Sequence, residues 1–215
     1  LYRELVESGE LGFCTAAPRQ YQVTIAVSEY GFFLLTFSSM KKYSYWILLA
    51  GTLVMIVVMA ITGATLKTPT TPRGIIDLEL AKNAAQVNDI LKAWTPTAET
   101  DNIRNAGVNT WLDFIFLFFY AFFLSASCIR IGSAITGNYG RAASLFAQAA
   151  LLAGFLDILE NAGMLMSLKG NVYNNIALLT CTFSMIKWVL VALVLLYLAV
   201  GLLLLVFRKK TGSEV

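Results

Sequence analysis

Two carboxylates, Asp157 and Glu160, lie in the middle of an apolar run, 142–168, that is long enough to cross a membrane. A carboxylate inside a bilayer is costly, so it usually has a partner or a function. Helical spacing of i, i+3 and i+4 places Asn161 on the same face as both acids. Small residues extend this face, which favours close approach of another helix. We therefore expect it to point into a helical bundle.

Charged residues on two other apolar runs reach a similar level. With a rise of about 1.5 Å per residue, Asp113 near the start of the second run and Lys187 in the fourth lie near the same outer membrane boundary as Asp157 and Glu160. Three acids facing one lysine leave an excess of negative charge, which would attract a cation, a proton or a positively charged ligand. In the alternative interpretation, Lys187 neutralises one acid in a structural ion-pair network that fixes the register of the helices. The predicted binding residues from these runs are Asp113, Asp157, Glu160, Asn161 and Lys187.

Composition and patterning predict the fold that must position these residues. The chain is 58% hydrophobic and only 13% charged, whereas about a quarter of the residues of a soluble protein are charged. All four prolines fall outside the apolar runs, as uninterrupted helices require. We predict an all-α polytopic membrane protein, an antiparallel four-helix transmembrane bundle with spans at 44–64, 111–135, 142–168 and 176–207.

The two ends of the chain are predicted to lie outside the bundle. Met40, followed by two lysines and an apolar run, has the form of a natural start with a signal-anchor helix. We therefore expect residues 1–39 to be an N-terminal extension or a peripheral arm, residues 40–210 to form the membrane domain and residues 211–215 to be a cytoplasmic tail.

Basic residues that flank the spans predict the orientation, because cytoplasmic loops are enriched in Lys and Arg. The sequence thus indicates a multi-pass protein of the plasma (inner) membrane with a cytoplasmic C-terminus. The residues on the predicted cytoplasmic side are Lys41, Lys42, Arg130, Arg141, Arg208, Lys209 and Lys210.

The long loop between the first two spans carries an amphipathic pattern. Apolar residues recur at helical spacing, and Thr71-Pro72 is a suitable start for a helix over 72–94. The apolar face must be covered either by the outer ends of the bundle or by lipid headgroups. The helix could be a packed cap, a gate over a lateral pocket or a docking site for a protein partner.

Several function classes lack their residues. There is no histidine, which removes most zinc sites and histidine-based acid–base pairs. The sequence contains no P-loop, dinucleotide fingerprint or nucleophile motif, and no nucleic-acid-binding pattern. We expect no metal, no cofactor and no nucleic-acid partner.

Three segments resemble a group of small bacterial four-span integral membrane proteins that is itself uncharacterised. They are 74–81 (GIIDLELA), 112–121 (LDFIFLFFYA) and 156–165 (LDILENAGML). The resemblance implies no activity, but it adds Glu79 to the predicted binding residues, since the loop helix would bring this carboxylate over the outer end of the bundle. The four-span plan is also that of claudin-like proteins, but this loop is predicted to be helical and lacks their paired cysteines.

The first functional hypothesis is a non-enzymatic membrane protein that binds a cation, a proton or a small amphipathic ligand in an outer-leaflet acidic pocket. The alternative is a scaffold or accessory subunit of a membrane complex, with structural ion pairs and a partner bound at the loop helix. An intramembrane enzyme that uses the acids as general acid and base is the third hypothesis. Membrane lipids are the expected partners in every case.

Overall fold

The computed structural model describes residues 42–96, 101–135 and 137–211. Predictions for residues 1–39 and for most of the tail at 211–215 lie outside this part of the chain. The described residues form only helices: α1 (Lys42–Thr62), the short 3-10 helix η1 (Ala64–Leu66), α2 (Ile75–Glu79), α3 (Ala84–Ala93), α4 (Asn102–Ala134), α5 (Asn138–Leu168) and α6 (Asn174–Thr211).

The predicted all-α four-span fold is confirmed. The four helices α1, α4, α5 and α6 are long and apolar enough to cross a membrane. The second of them differs at its start, since α4 begins at Asn102 and not at 111. Asp101 caps this earlier start by accepting a hydrogen bond from the Arg104 amide at 2.9 Å. The added turns contain Asn102, Arg104, Asn105 and Asn109, so hydropathy alone did not detect them.

The four spanning helices do not pack equally closely against one another. The helices α4, α5 and α6 pack closely together, whereas α1 packs mainly on α4. The small residues Ala150, Ala153 and Gly154 of α5 are buried, as predicted for a face that points into the bundle. A Cβ atom added at Gly154 would lie 2.7 Å from the Ala121 side chain, so this glycine permits the close approach of α4 and α5.

Side-chain contacts join α1 to α4 near both ends of α1. Near its last turn, Asn109 of α4 donates hydrogen bonds to the Thr62 hydroxyl at 2.7 Å and to the Met59 carbonyl at 3.2 Å. Near its first turn, the Arg130 guanidinium lies 4.5 Å from the centre of the Tyr45 ring. Between these two attachments, Thr52, Leu53 and Ile56 of α1 line a cavity.

The predicted loop helix at 72–94 requires a correction, because the structure contains two shorter helices, α2 and α3. The chain leaves the helical path after Glu79, and Asn83 starts α3 with an extended backbone. The Asn83 side chain accepts from the Gln86 amide at 2.9 Å, and the Gln86 side chain accepts from the Lys82 amide at 2.7 Å. This Asn-x-x-Gln pattern is a variant of the capping box, and it stabilises a new helix start in the middle of the loop.

The predicted helix start at Thr71-Pro72 is also corrected. The helix α2 begins after Gly74, whose φ of +65° is a conformation that favours glycine. Thr71 is buried instead, and its hydroxyl donates to the Leu66 carbonyl at 2.8 Å. The Trp94 indole donates to the same carbonyl at 3.0 Å, which ties the end of α3 back to the start of the loop.

The segments η1, α2 and α3, which we call the cap, share a core with the ends of α4, α5 and α6. The apolar face of the loop is therefore covered by the bundle. Its exposed side is polar, with Gln86, Asn88 and Asp89 directed outward. The buried members of this core are Leu66, Leu78, Ala81, Val87, Ile90, Trp94, Ala106, Met164 and Ala177.

Candidate functional site: a cleft with an acidic end

A cavity of about 570 Å³ lies between α1, α4 and α6, beneath α2. We call it the cleft. It exists because α1 packs on α4 without closing against α6 along the same length. Most of its lining is apolar, and the polar residues gather toward the capped end. The polar and charged residues of the lining are Thr52, Glu79, Asn109, Thr110, Asp113, Tyr120, Asp157 and Lys187.

The cleft opens on the side of the bundle. Ile56 on α1 is 48% exposed and Leu195 on α6 is 51% exposed, and both line the cleft. These two helices are among those apolar enough to cross a membrane. The opening therefore faces the apolar surroundings of the bundle, where a lipid-soluble molecule would have direct access.

Lys187 forms the centre of a buried ion-pair cluster between α5 and α6. Its Nζ lies 2.7 Å from Glu160 Oε2 and 2.9 Å from Asp157 Oδ1. The Tyr120 hydroxyl donates to the other Asp157 oxygen at 2.7 Å. All four side chains are buried. We call Lys187, Asp157 and Glu160 the Lys187 cluster. Two short contacts to one ammonium partly offset the cost of burying these charges.

Glu160 is the most enclosed member of the Lys187 cluster, with no exposed surface. Its Oε1 has no hydrogen-bond partner within the described part of the chain. Although Oε2 also lacks a hydrogen bond of good geometry, its distance of 2.7 Å to Lys187 Nζ makes the charge interaction close. Glu160 does not line the cleft but lies behind Lys187.

The helix α2 brings Glu79 onto the capped end of the cleft. Its Oε2 is 3.4 Å from the Ser184 hydroxyl, 3.5 Å from the Trp188 indole nitrogen and 3.9 Å from Lys187 Nζ. These three contacts are long compared with those of Asp157. Glu79 is thus buried beside the Lys187 cluster without being tightly bound to it.

Asp113 has a different environment on the α4 wall of the cleft. Its Oδ2 accepts a hydrogen bond from Asn161 Nδ2 at 2.8 Å. Among the described residues, no Lys or Arg side chain forms an ion pair with Asp113. Asn161 is fully buried, and its own Oδ1 has no hydrogen-bond partner in the same part of the chain. A neutral amide therefore holds Asp113 in place but leaves its charge unbalanced.

The structure brings together all six residues that the sequence predicted to bind a ligand. Four of them, Glu79, Asp113, Asp157 and Lys187, line the cleft. The other two, Glu160 and Asn161, lie behind this wall and contact its members.

The sequence reasoning missed Asn109, which lines the cleft one helical turn before Asp113. The i, i+4 spacing of these two residues on α4 was a usable signal. It was overlooked because the second span was predicted to start at 111, which placed Asn109 in the loop. The contribution of α1 to the lining was also missed, because this helix carries no charged residue in its apolar part.

Comparison with protein-family models finds no match, and comparisons with curated proteins and with solved structures find none either. The resemblance to small bacterial four-span proteins therefore stays a prediction. In the described ranges, no group of three or more His, Cys, Asp or Glu side chains is arranged to hold a metal ion.

Proposed function

We propose that this membrane protein binds a small amphipathic ligand, with the polar head at the acidic end of the cleft and the apolar part between α1 and α6. The observation that carries the proposal is one continuous cavity in which apolar, exposed walls lead to Asp113 and Glu79. Binding alone accounts for these features, so we propose no enzymatic step.

The charges around the acidic end favour a positively charged head. Glu79, Asp157 and Glu160 lie within 3.9 Å of Lys187 Nζ. Asp113 adds a fourth carboxylate, which is held by Asn161 and forms no ion pair among the described residues. A cationic head would offset the excess negative charge, whereas a phosphate or a carboxylate would add to it. The apolar walls favour an organic cation with a hydrocarbon part over a bare ion.

The size and position of the cleft are consistent with such a ligand. Binding pockets for small molecules commonly measure about 300–1,000 Å³, and the cleft measures about 570 Å³. Its opening on the side of the bundle would admit a ligand already dissolved in the bilayer. We infer, from the basic residues at the other end of the bundle, that the capped end lies on the outer side of a bacterial inner membrane and that the C-terminus is cytoplasmic.

The test is to fill the cleft. The full-length protein would be placed in phosphatidylcholine nanodiscs, and binding of dodecylamine would be measured by native mass spectrometry. We expect Ile56→Trp, which narrows the opening, to lower the affinity at least tenfold. Val57→Trp is the matched control, because Val57 lies next to Ile56, is 56% exposed and does not line the cleft. Equal affinities in the two variants would contradict a binding site in the cleft.

A second candidate function is a scaffold or accessory subunit whose buried charges are purely structural. It is favoured by the two short contacts of Lys187, at 2.7 and 2.9 Å, which need no ligand to explain them. The burial of the apolar face of α2 and α3 in the core of the cap gives less support to partner docking at that face. If wild-type protein binds no amphiphile, the scaffold function becomes the better explanation.

A further inference from the structure

We infer that the head of the ligand is an ammonium group with N–H donors, and that Asn109 and Asp113 of α4 bind it together. This inference rests on the proposed function and adds Asn109, which the sequence did not predict, as a binding residue. The ligand that we infer is a free long-chain amine.

Hydrogen bonds to α1 fix the orientation of the Asn109 amide. Its Nδ2 donates to the Met59 carbonyl at 3.2 Å and to the Thr62 hydroxyl at 2.7 Å. The Thr62 hydroxyl itself donates to the Val58 carbonyl at 2.8 Å, so it can accept from Asn109. A carbonyl oxygen only accepts, which fixes Nδ2 as the atom facing α1. The Asn109 Oδ1 atom must therefore point elsewhere.

This oxygen has no hydrogen-bond partner among the described residues. Asn109 is 1% exposed, lines the cleft and has an Oδ1 atom without a hydrogen bond from any described residue. Buried acceptors are nearly always paired, and an unpaired one calls for an explanation. Since Oδ1 has almost no accessible surface, a donor on a ligand in the cleft would satisfy it after a small movement of the surrounding side chains.

A carboxylate follows on the same face of α4. Asp113 follows Asn109 by one helical turn, so both side chains lie on the same face of α4 and line the same cavity. Asp113 receives a hydrogen bond from the neutral Asn161 at 2.8 Å. Lys187, the nearest basic residue of the site, is committed to Asp157 and Glu160. The α4 wall thus contains two acceptors, one of them charged, with no cation among the described residues to match them.

This combination selects among possible heads. A primary ammonium has a positive charge and three N–H donors, so it can pair with Asp113 and donate to Asn109 simultaneously. A quaternary ammonium has the charge but no N–H donor. An alcohol has a donor but no charge. An aminophospholipid has the ammonium, but its phosphate would come near Glu79 and Asp113 and be repelled.

The experiment compares three heads on one chain length. The full-length protein in phosphatidylcholine nanodiscs would be titrated with dodecylamine, dodecyltrimethylammonium and dodecanol, and binding would be followed by native mass spectrometry. We expect wild-type protein to bind dodecylamine about tenfold more tightly than either of the other two probes, since dodecyltrimethylammonium cannot donate a hydrogen bond and dodecanol cannot form an ion pair with Asp113. Equal affinity for dodecylamine and dodecyltrimethylammonium would overturn the inference without affecting the proposed function. Failure of all three to bind would overturn both.

One variant and a matched control test the contact between Asn109 and the ligand. Asn109→Leu should weaken dodecylamine binding about five- to tenfold and leave dodecyltrimethylammonium binding nearly unchanged, because the quaternary head has no N–H to donate to Oδ1. The substitution also removes the hydrogen bonds of Nδ2 to Thr62 and Met59, and a displacement of α1 that follows from this would weaken the binding of all three probes. Asn105→Ala is the matched control, since Asn105 lies one turn earlier on α4 and does not line the cleft. An equal loss of affinity for all three probes in Asn109→Leu would mean that Asn109 only holds α1 in place, and this result would overturn its assignment as a binding residue.

A change of lipid distinguishes the two sources of an ammonium group. If nanodiscs of phosphatidylethanolamine leave the dodecylamine affinity unchanged, the ligand is a free amine, as we infer. If this lipid competes with dodecylamine and remains bound to wild-type protein but not to Asp113→Asn, the commitment to a free amine is overturned in favour of the lipid headgroup.

Discussion

The two sides of the acidic end bury charge in different ways. On the α5–α6 side, the Lys187 cluster is closed, with contacts of 2.7 and 2.9 Å between opposite charges. On the α4 side, Asn109 and Asp113 line the cleft, and no described Lys or Arg side chain forms an ion pair with Asp113. Carboxylates at the same level of the bundle thus have different environments. A residue with its counter-ion in reach stabilises the fold, whereas one that faces a cavity without it can bind a ligand.

Glu79 lies between these two sides. It lines the cleft, yet its nearest contact, with the Ser184 hydroxyl, is 3.4 Å long. It is the one acid of the cap that lines the cleft. The effect of replacing Glu79 will therefore show whether the cap contributes to ligand binding or only to the stability of the buried charges.

The largest effect on stability is expected for Lys187→Met. Removing the ammonium leaves Asp157 and Glu160 facing each other in a buried site, and breaking a buried ion pair typically costs about 3–5 kcal/mol. We expect a decrease of this order in the free energy of unfolding, measured by titration with sodium dodecyl sulfate in mixed micelles.

The control for this variant is Val189→Met, because Val189 is on the same helix and is 56% exposed. The triple variant Lys187→Met/Asp157→Asn/Glu160→Gln should recover much of the lost stability, since it removes the charges together with their partner. A loss of less than about 1 kcal/mol in Lys187→Met would mean that the cluster is not structural, and the contrast between the two sides would fail.

A smaller effect on stability, but a large one on binding, is expected for Asp113→Asn. The substitution keeps the size of the side chain and removes a charge that no described basic residue balances. We expect the free energy of unfolding to change by less than about 1 kcal/mol, while affinity for dodecylamine decreases at least tenfold. Destabilisation as large as that of Lys187→Met would instead place Asp113 among the structural charges.

The smallest effect is expected for Glu79→Gln. Its contacts of 3.4 to 3.9 Å are weak, so we expect a loss of stability below about 1 kcal/mol and a decrease in dodecylamine affinity of about threefold. Thermal unfolding and native mass spectrometry on the same sample would measure both. A decrease in affinity as large as that of Asp113→Asn would mean that Glu79 contacts the ligand directly.

Sequence reasoning succeeded where the signal was local. The spacing of Asp157, Glu160 and Asn161 predicted one inward face, and that face is buried. Depth along the helices predicted that Asp113 and Lys187 would reach the same level, and the structure brings them into one site. It failed where a hydropathy boundary was taken as a helix boundary, which hid Asn109, and where a continuous amphipathic pattern concealed the capped restart of the helix at Asn83.

The sequence by itself determined the four spanning helices, the amphipathic loop and the charged residues at one end of the bundle, because chain length, hydropathy and helical periodicity are properties of short segments. Only the tertiary structure decided how the four acids differ. Asp157 is paired with Lys187 although it also lines the cleft, whereas Asp113 lines the cleft without an ion pair among the described residues. This difference depends on how α4, α5 and α6 approach one another. That approach is set by packing between residues far apart in the sequence, such as Gly154 against Ala121, and no single segment encodes it.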